Sequence, residues 1–215
     1  MYVHRCVVPA RLFCNRILTT LRRTPAQEKV SLDSDFFRDI NWFCQFLKDF
    51  NGVVKIHKPS VVPVIVYVDA CLQGLGTYHE GQVYHATVPT SFHLVMSIVH
   101  LEMVNVLVSV RLWANKWRNC SVNMFCDNQA VVEVMANGRS RDKYLAACAR
   151  TIWLLLAQYN IRLNVLHIAG LENRYADTLS RWFHFQRVDS VVVRHLKRCT
   201  WVDVCDTWLY PDFTI

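Results

Sequence analysis

Apolar positions along the 215 residues change their period near residue 60. Before that point they recur at helical spacing. Pro9 suits a helix start, and Leu12, Phe13, Ile17, Leu18 and Leu21 then fall on one side, with Arg11, Arg16, Arg22 and Arg23 largely elsewhere. After a turn around Thr24–Pro25, Asp33 or Ser34 suits the N-cap of a second helix. Its residues Phe36, Ile40, Phe43, Leu47 and Phe50 step by four, three, four and three, an amphipathic stripe that Gly52 would close. Two such helices cannot form a core of their own. The stripe therefore predicts a surface to pack on, a domain outside this chain being one candidate.

From residue 61 the pattern is that of strands alternating with helices. Val64–Asp69 is an apolar, β-branched run, hence a buried strand. Gly74 and Gly76 mark a turn into a second strand near Leu75–His79, and Glu80–Gly81 is a hairpin turn into a third, Gln82–Val88. Ser97–Trp117 reads as a long helix and Ser121–Cys126 as a fourth strand. Asn128 caps a helix that ends at Asn137–Gly138, Lys143–Tyr159 is another helix, Arg162–Ile168 a fifth strand, and a last helix runs from about Asn173 to Phe183. The order β-β-β-α-β-α-α-β-α predicts an α/β fold, a mixed five-stranded sheet flanked by helices and preceded by a small helical segment. Three regions follow: 1–60 helical, 61–184 the α/β domain, and 185–215 a tail of unknown role. In the tail Val191–Val193 has the character of a further strand, and Trp201, Trp208 and Tyr210 suggest packing.

Composition narrows the class. With 53% hydrophobic and 19% charged residues the chain can bury a core, which excludes wholesale disorder. No apolar run is long enough to span a bilayer, and the N-terminus has no continuous apolar stretch of the signal-peptide kind, so no membrane association is expected. Nine cysteines without any CxxC, mostly in apolar surroundings, fit reduced thiols in a cytoplasmic or nuclear protein. His195, Cys199 and Cys205 match no standard zinc spacing. The net charge of +7 fits an anionic partner, nucleic acid being the commonest, and equally a basic surface with no partner.

Four of the 17 carboxylates stand where carboxylates are costly. Asp69 ends the apolar strand VIVYVD, Glu102 lies early in the apolar helix HLEMVNVLVSV, Asp127 ends VNMFCD, and Asp177 lies near the start of the last helix. If the first and fourth strands are parallel neighbours, both aspartates leave the same sheet edge, where α/β folds place their ligands. Glu102, on the helix side shared with Asn105, Val106 and Ser109, and Asp177, returning after the fifth strand, reach the same place. Four converging carboxylates either hold protons or gather cations. Oxygen-loving divalent ions such as Mg²⁺ resolve the repulsion, and two about 4 Å apart can clamp a phosphodiester.

VYVDACLQGLG, HLEMV, MFCDNQAV and HIAGLENRYADTLSRW together resemble the ribonuclease H domain of reverse transcriptase polyproteins. CDNQAVVEVMANGRSRD and the Leu- and Trp-rich helix after it resemble retrotransposons of the DIRS and Ngaro types. The resemblance covers about residues 61–183. ARLFCNRILTTLRR and DINWFCQFLKDFNG are similar to the thumb and connection helices that precede ribonuclease H in those polyproteins, and the polymerase palm is absent from this chain. Cys71, where Ser or Thr is frequent, and Thr77, where Ala is usual, depart from the pattern without removing a ligand.

The resemblance implies a ribonuclease H-like fold and hydrolysis of the RNA strand of RNA–DNA hybrids. Asp69, Glu102, Asp127 and Asp177 are then the catalytic, metal-binding acids, the cofactor two Mg²⁺ ions with Mn²⁺ as an alternative, and the partners the hybrid and a polymerase domain. Gly74 and Gly76 would bring backbone close to RNA, Asn128 would lie near the scissile region, and His167 would shuttle protons or assist product release. Arg139, Arg141 and Lys143 would hold phosphates. Each of these seven has a plainer reading: a hairpin turn, a helix cap, a histidine at a strand end, a solvated loop. The competing function is a catalytically inactive, nucleic-acid-binding remnant of a reverse transcriptase.

Overall fold

The computed structural model describes residues 10–49 and 62–211. Pro9, Phe50, Gly52 and the side chains of Leu12, Phe13 and Leu47 lie outside what is described. β1 (Val64–Ala70), β2 (Gly74–His79) and β3 (Gln82–Thr87) form an antiparallel meander. The β2–β3 hairpin turns on Glu80 and Gly81, both at positive φ, as a two-residue loop matched to strand twist requires. β4 (Ser121–Cys126) and β5 (Arg162–His167) continue the sheet on the other side of β1, parallel to it.

The sheet has six strands, not the five expected, in the order β5-β4-β1-β2-β3-β6. The added strand, β6 (Thr200–Trp201), pairs parallel with β3 and covers its edge. The strand expected at Val191–Val193 is instead the start of a helix, Val191–Lys197. Ser190 caps it by accepting from the Val193 amide at 3.2 Å, and Val193 and Leu196, three apart, are its buried residues. A polar cap and helical burial override the β-propensity of three valines. Farther on, Arg111 Nη1 donates to the carbonyls of Trp208 and Tyr210, and Leu209 is buried in the main core.

On one face of the sheet lie α3 (Thr90–His93), α4 (Ile98–Trp113), α5 (Gln129–Asn137) and α6 (Lys143–Tyr159). α4 is shorter than the helix expected to Trp117. Leu101 through Val110 are all buried, because a helix apolar on every side must be enclosed; here the sheet and α6 enclose it. Its end is tied to the meander: Trp113 Nε1 donates to Gln82 at 2.9 Å, and Trp117 Nε1 donates to His79 Nε2 at 3.2 Å. The opposite face, over β1 and β2, carries α7 (Arg174–Ser180), followed by α8 (Trp182–Phe185) and α9, the Val191–Lys197 helix.

The N-terminal helices α1 (Ala10–Arg23) and α2 (Ser34–Asp49) pack on each other and on α6. Asp33 caps α2 by accepting from the Phe36 amide at 2.7 Å. The inward face differs from the expected stripe. Asp39 and Trp42 are buried, whereas Ile40 is 37% exposed. The partner surface explains the rotation. Arg150 of α6 lies 3.4 Å from Asp39 and Arg16 of α1 lies 3.5 Å from it, so this buried carboxylate has its counter-charges. Among the described residues every cysteine is a free thiol, and no helix is long and apolar enough to cross a membrane.

Candidate active site

β1 and β4 run parallel with Tyr67 opposite Phe125, and two residues beyond that pair each strand leads into an aspartate, Asp69 or Asp127. Asp69 is 3% exposed. Glu102, in the second turn of α4, is 2% exposed and accepts the Ala70 amide through Oε1 at 3.0 Å. Its other oxygen, Oε2, accepts the Cys126 thiol at 3.7 Å. Ligand atoms of Glu102, Cys126 and Asp127 all lie within 4.8 Å of one another. Asp177, in the first turn of α7, makes a close ion pair with Arg181 one turn later.

Charge ties the four acids together. Burial pushes the Asp69 carboxyl up to about 7, with the negative charges of Asp127 and Asp177 adding to it, while a hydrogen bond from Ser180 and the charge of Arg181 oppose the shift. Burial likewise holds Glu102 well above the usual carboxylate range, helped by Asp69 and Asp127. The Cys126 thiol is pushed up too, by burial and then by Glu102, and stays protonated. A neutral thiol is a poor ligand for a hard cation, so within the Glu102–Cys126–Asp127 group the carboxylate oxygens are the ones that could hold such an ion. Clustered carboxylate oxygens, with those of Asp69 and Glu102 buried and of raised proton affinity, fit a divalent, oxygen-seeking ion.

The remaining expected site residues fall in three groups. Asn128 caps α5, accepting from the Ala130 amide at 3.1 Å directly after Asp127. His167 ends β5 opposite Cys126, with its side chain exposed beside the same edge. Arg139, Arg141 and Lys143 are exposed around the loop between α5 and α6. That loop is fastened to the helix bearing Glu102, because Asp142 both caps α6 and meets His100 Nε2 at 3.0 Å.

Gly74 and Gly76 require a correction. Gly74 closes the hairpin that begins at Cys71, but Gly76 sits inside β2, and neither is at positive φ. Their missing side chains admit α7. A Cβ on Gly74 would lie 2.3 Å from the Ser180 carbonyl oxygen, and one on Gly76 would lie 2.2 Å from the Ser180 nitrogen and 2.6 Å from the Ala176 oxygen. Helix α7 occupies the space that these missing side chains leave.

Three buried polar residues at the site escaped the sequence reading as site residues. Asn173, at the N-cap position of α7, donates to the Val68 carbonyl at 2.8 Å; Asn105 of α4 donates to the carbonyls of Asp69 and Gly76 at 2.7 and 2.9 Å; Ser180 donates to Asp69 Oδ2 at 2.5 Å. The signal available was spacing: Asn105 stands three residues after Glu102 on the same helix side, and Ser180 three after Asp177. A further signal was Gly170, where a Cβ would lie 3.3 Å from Asp127 Oδ2 as the loop after β5 crosses the site.

No protein-family model matches the chain, and no curated protein matches it. Among solved structures the chain is similar to RNase H1 from the halophilic archaeon Halobacterium salinarum NRC-1, at 14% identity over 55% of this chain and 94% of that one, TM-score 0.43. It is similar to LC11-RNase H1, isolated from compost by a metagenomic approach, at 16% identity over 55% of this chain and 93% of that one, TM-score 0.42. It is also similar to a foamy viral protease-reverse transcriptase in complex with double-stranded DNA, at 10% identity over 77% of this chain and 30% of that one, TM-score 0.33.

Proposed function

We propose that this chain is a divalent-metal-dependent ribonuclease H that hydrolyses the RNA strand of RNA–DNA hybrids, as the C-terminal part of a retroelement reverse transcriptase of the DIRS or Ngaro type. The observation that carries the reading is the electrostatic convergence of Asp69, Glu102, Asp127 and Asp177 from four separate elements at the carboxyl ends of parallel strands. The sequence motifs that resemble reverse transcriptase ribonuclease H domains supply the substrate.

Asp69, Glu102 and Asp127 would hold the cations, with Asp177 completing the set. Bound there, two Mg²⁺ ions would supply an activated water and a stabilised 3′-oxygen leaving group. The chain's own groups do the rest. Ala70 N–H and the Cys126 thiol orient Glu102. Arg181 holds one oxygen of Asp177. Arg139, Arg141 and Lys143 receive phosphates on a loop that Asp142 and His100 keep against the N-terminal turn of α4.

The test is incubation of the purified chain with a hybrid labelled on either strand, with Mg²⁺ or with chelator. Cleavage confined to the RNA strand and dependent on Mg²⁺ is the expected result. Binding of hybrid without cleavage at any divalent-ion concentration would favour the inactive remnant instead.

A further inference from the structure

Ser180 is fully buried, at the last position of α7. Its hydroxyl stands 2.5 Å from the carboxylate oxygen Oδ2 of Asp69 and 2.9 Å from the main-chain carbonyl of Asp177, three residues back on the same helix. A serine one helical turn from a sheet could not reach that far unless the helix lay almost on the strand. Gly76 is the partner of Asp69 in the β1–β2 register, and it is against Gly74 and Gly76 that the Ser180 backbone rests. His85, the partner of Gly76 on β3, contacts the Leu179 carbonyl through Nδ1 at 2.8 Å and holds the same helix end from the neighbouring strand. Glycines, histidine and helix terminus thus form one cradle, and the group it presents is the Ser180 hydroxyl.

We propose that Ser180 is a positioning residue of the cation site: it holds Oδ2 of Asp69, leaving Oδ1 as the oxygen offered to a metal ion. A carboxylate free to rotate offers either oxygen, or both, and loses that freedom when it binds. One whose Oδ2 already accepts a charge-assisted hydrogen bond is oriented beforehand. Asn173 and Asn105 restrain the backbone on each side of Asp69 through the Val68 and Asp69 carbonyls, so the side-chain torsion is the freedom left for Ser180 to remove. The inference rests on the reading of the four acids as a metal centre.

Calorimetric titration of the full chain with Mn²⁺, without nucleic acid, tests it. Ser180→Ala should weaken Mn²⁺ binding by roughly ten- to a hundredfold, the usual effect of removing a group that orients a ligand. Ser180→Cys, with its weaker donor, should fall between. Thr178→Ala removes a hydroxyl from the same helix, one bonded to the Arg174 carbonyl at 2.8 Å, and should leave Mn²⁺ affinity unchanged. In hybrid cleavage, Ser180→Ala should raise the Mg²⁺ concentration needed for half-maximal rate while the KM for hybrid stays constant. Wild-type Mn²⁺ affinity in Ser180→Ala overturns the inference, and so does an equal loss in Thr178→Ala, which would indicate general loosening of α7. A wild-type chain that binds Mn²⁺ and cuts no hybrid sinks the proposed function and leaves the Ser180 assignment standing.

Discussion

The end of β1 and the loop between α5 and α6 are built on opposite principles. Around Val68–Ala70, Asn173, Asn105, Ser180 and Glu102 each hold a different polar atom, and all four are buried. Around Arg139–Lys143 the three basic side chains are exposed, and Asp142 fastens the loop through the α6 cap and His100. A buried carboxylate must be satisfied from every side, so its position is over-determined. A phosphate contact needs reach and charge, and tolerates motion. The first region should respond to substitution in both stability and chemistry, the second in binding alone.

The largest effect should come from Asp69→Asn. Cleavage should fall by roughly 10²–10³-fold or more, as when a preorganised electrostatic group is removed, in a protein that remains folded. Undiminished Mg²⁺-dependent hydrolysis by the folded variant would break the comparison at its strongest point.

Next is the pH dependence of the metal-free protein. Asp69 has its folded-state value raised to about 7 against an ordinary 3.8, and Glu102 shifts in the same direction. The native state therefore binds these protons more tightly than the unfolded chain. The stabilisation from this difference is complete below about pH 4 and is lost as pH rises through 7, by at most about 4 kcal/mol for Asp69. Urea midpoints in chelator should fall between pH 5 and pH 8, and Mg²⁺ at pH 8 should restore part of the loss by binding the native state. Asp69→Asn should flatten the profile. A midpoint that rises over that interval would reverse the sign and remove the burial argument.

Gly76→Ala should destabilise by roughly 1–3 kcal/mol, because its Cβ meets helix backbone that cannot move aside locally. Gly170→Ala, whose Cβ meets only the Asp127 side chain at 3.3 Å, should cost much less. Equal melting temperatures for the two variants would show that α7 does not rest on β2.

The smallest effect on stability, within about 0.5 kcal/mol, should come from replacing Arg139, Arg141 and Lys143 together by alanine. Binding should nevertheless weaken for every hybrid sequence, and the salt dependence should flatten by roughly one unit of slope for each phosphate that is no longer neutralised. Preference for hybrid over duplex DNA should persist. Filter binding in Ca²⁺ at several salt concentrations measures both, and an unchanged slope would take this loop off the binding face.

Much of this is legible along the chain because local rules govern it. The third strand expected at Gln82–Val88, the Asn128 cap and the Asn137–Gly138 stop depend on neighbours a few residues away, and each appears where the pattern puts it, the strand as Gln82–Thr87. The four acids stand out because charge at the ends of apolar runs is costly unless something uses it. The inward face of α2 does not, since Asp39 is tolerable inside only where Arg150, more than a hundred residues on, comes to meet it. The role of Gly76 is hidden for the same reason: a glycine in a strand looks alike whether a turn, a ligand or a helix needs the space.

By itself, then, the sequence determined the alternation of strands and helices, the candidate acids and the basic loop, all of which follow from periodicity, caps and the cost of misplaced charge. Tertiary structure alone decided that Thr200–Trp201 is a sheet edge, that α7 presses on Gly74 and Gly76, and that Ser180 meets Asp69. Those outcomes depend on which distant surface is there to bury a side chain or accept a hydrogen bond, and the energy of such an interaction is written in neither partner's local sequence.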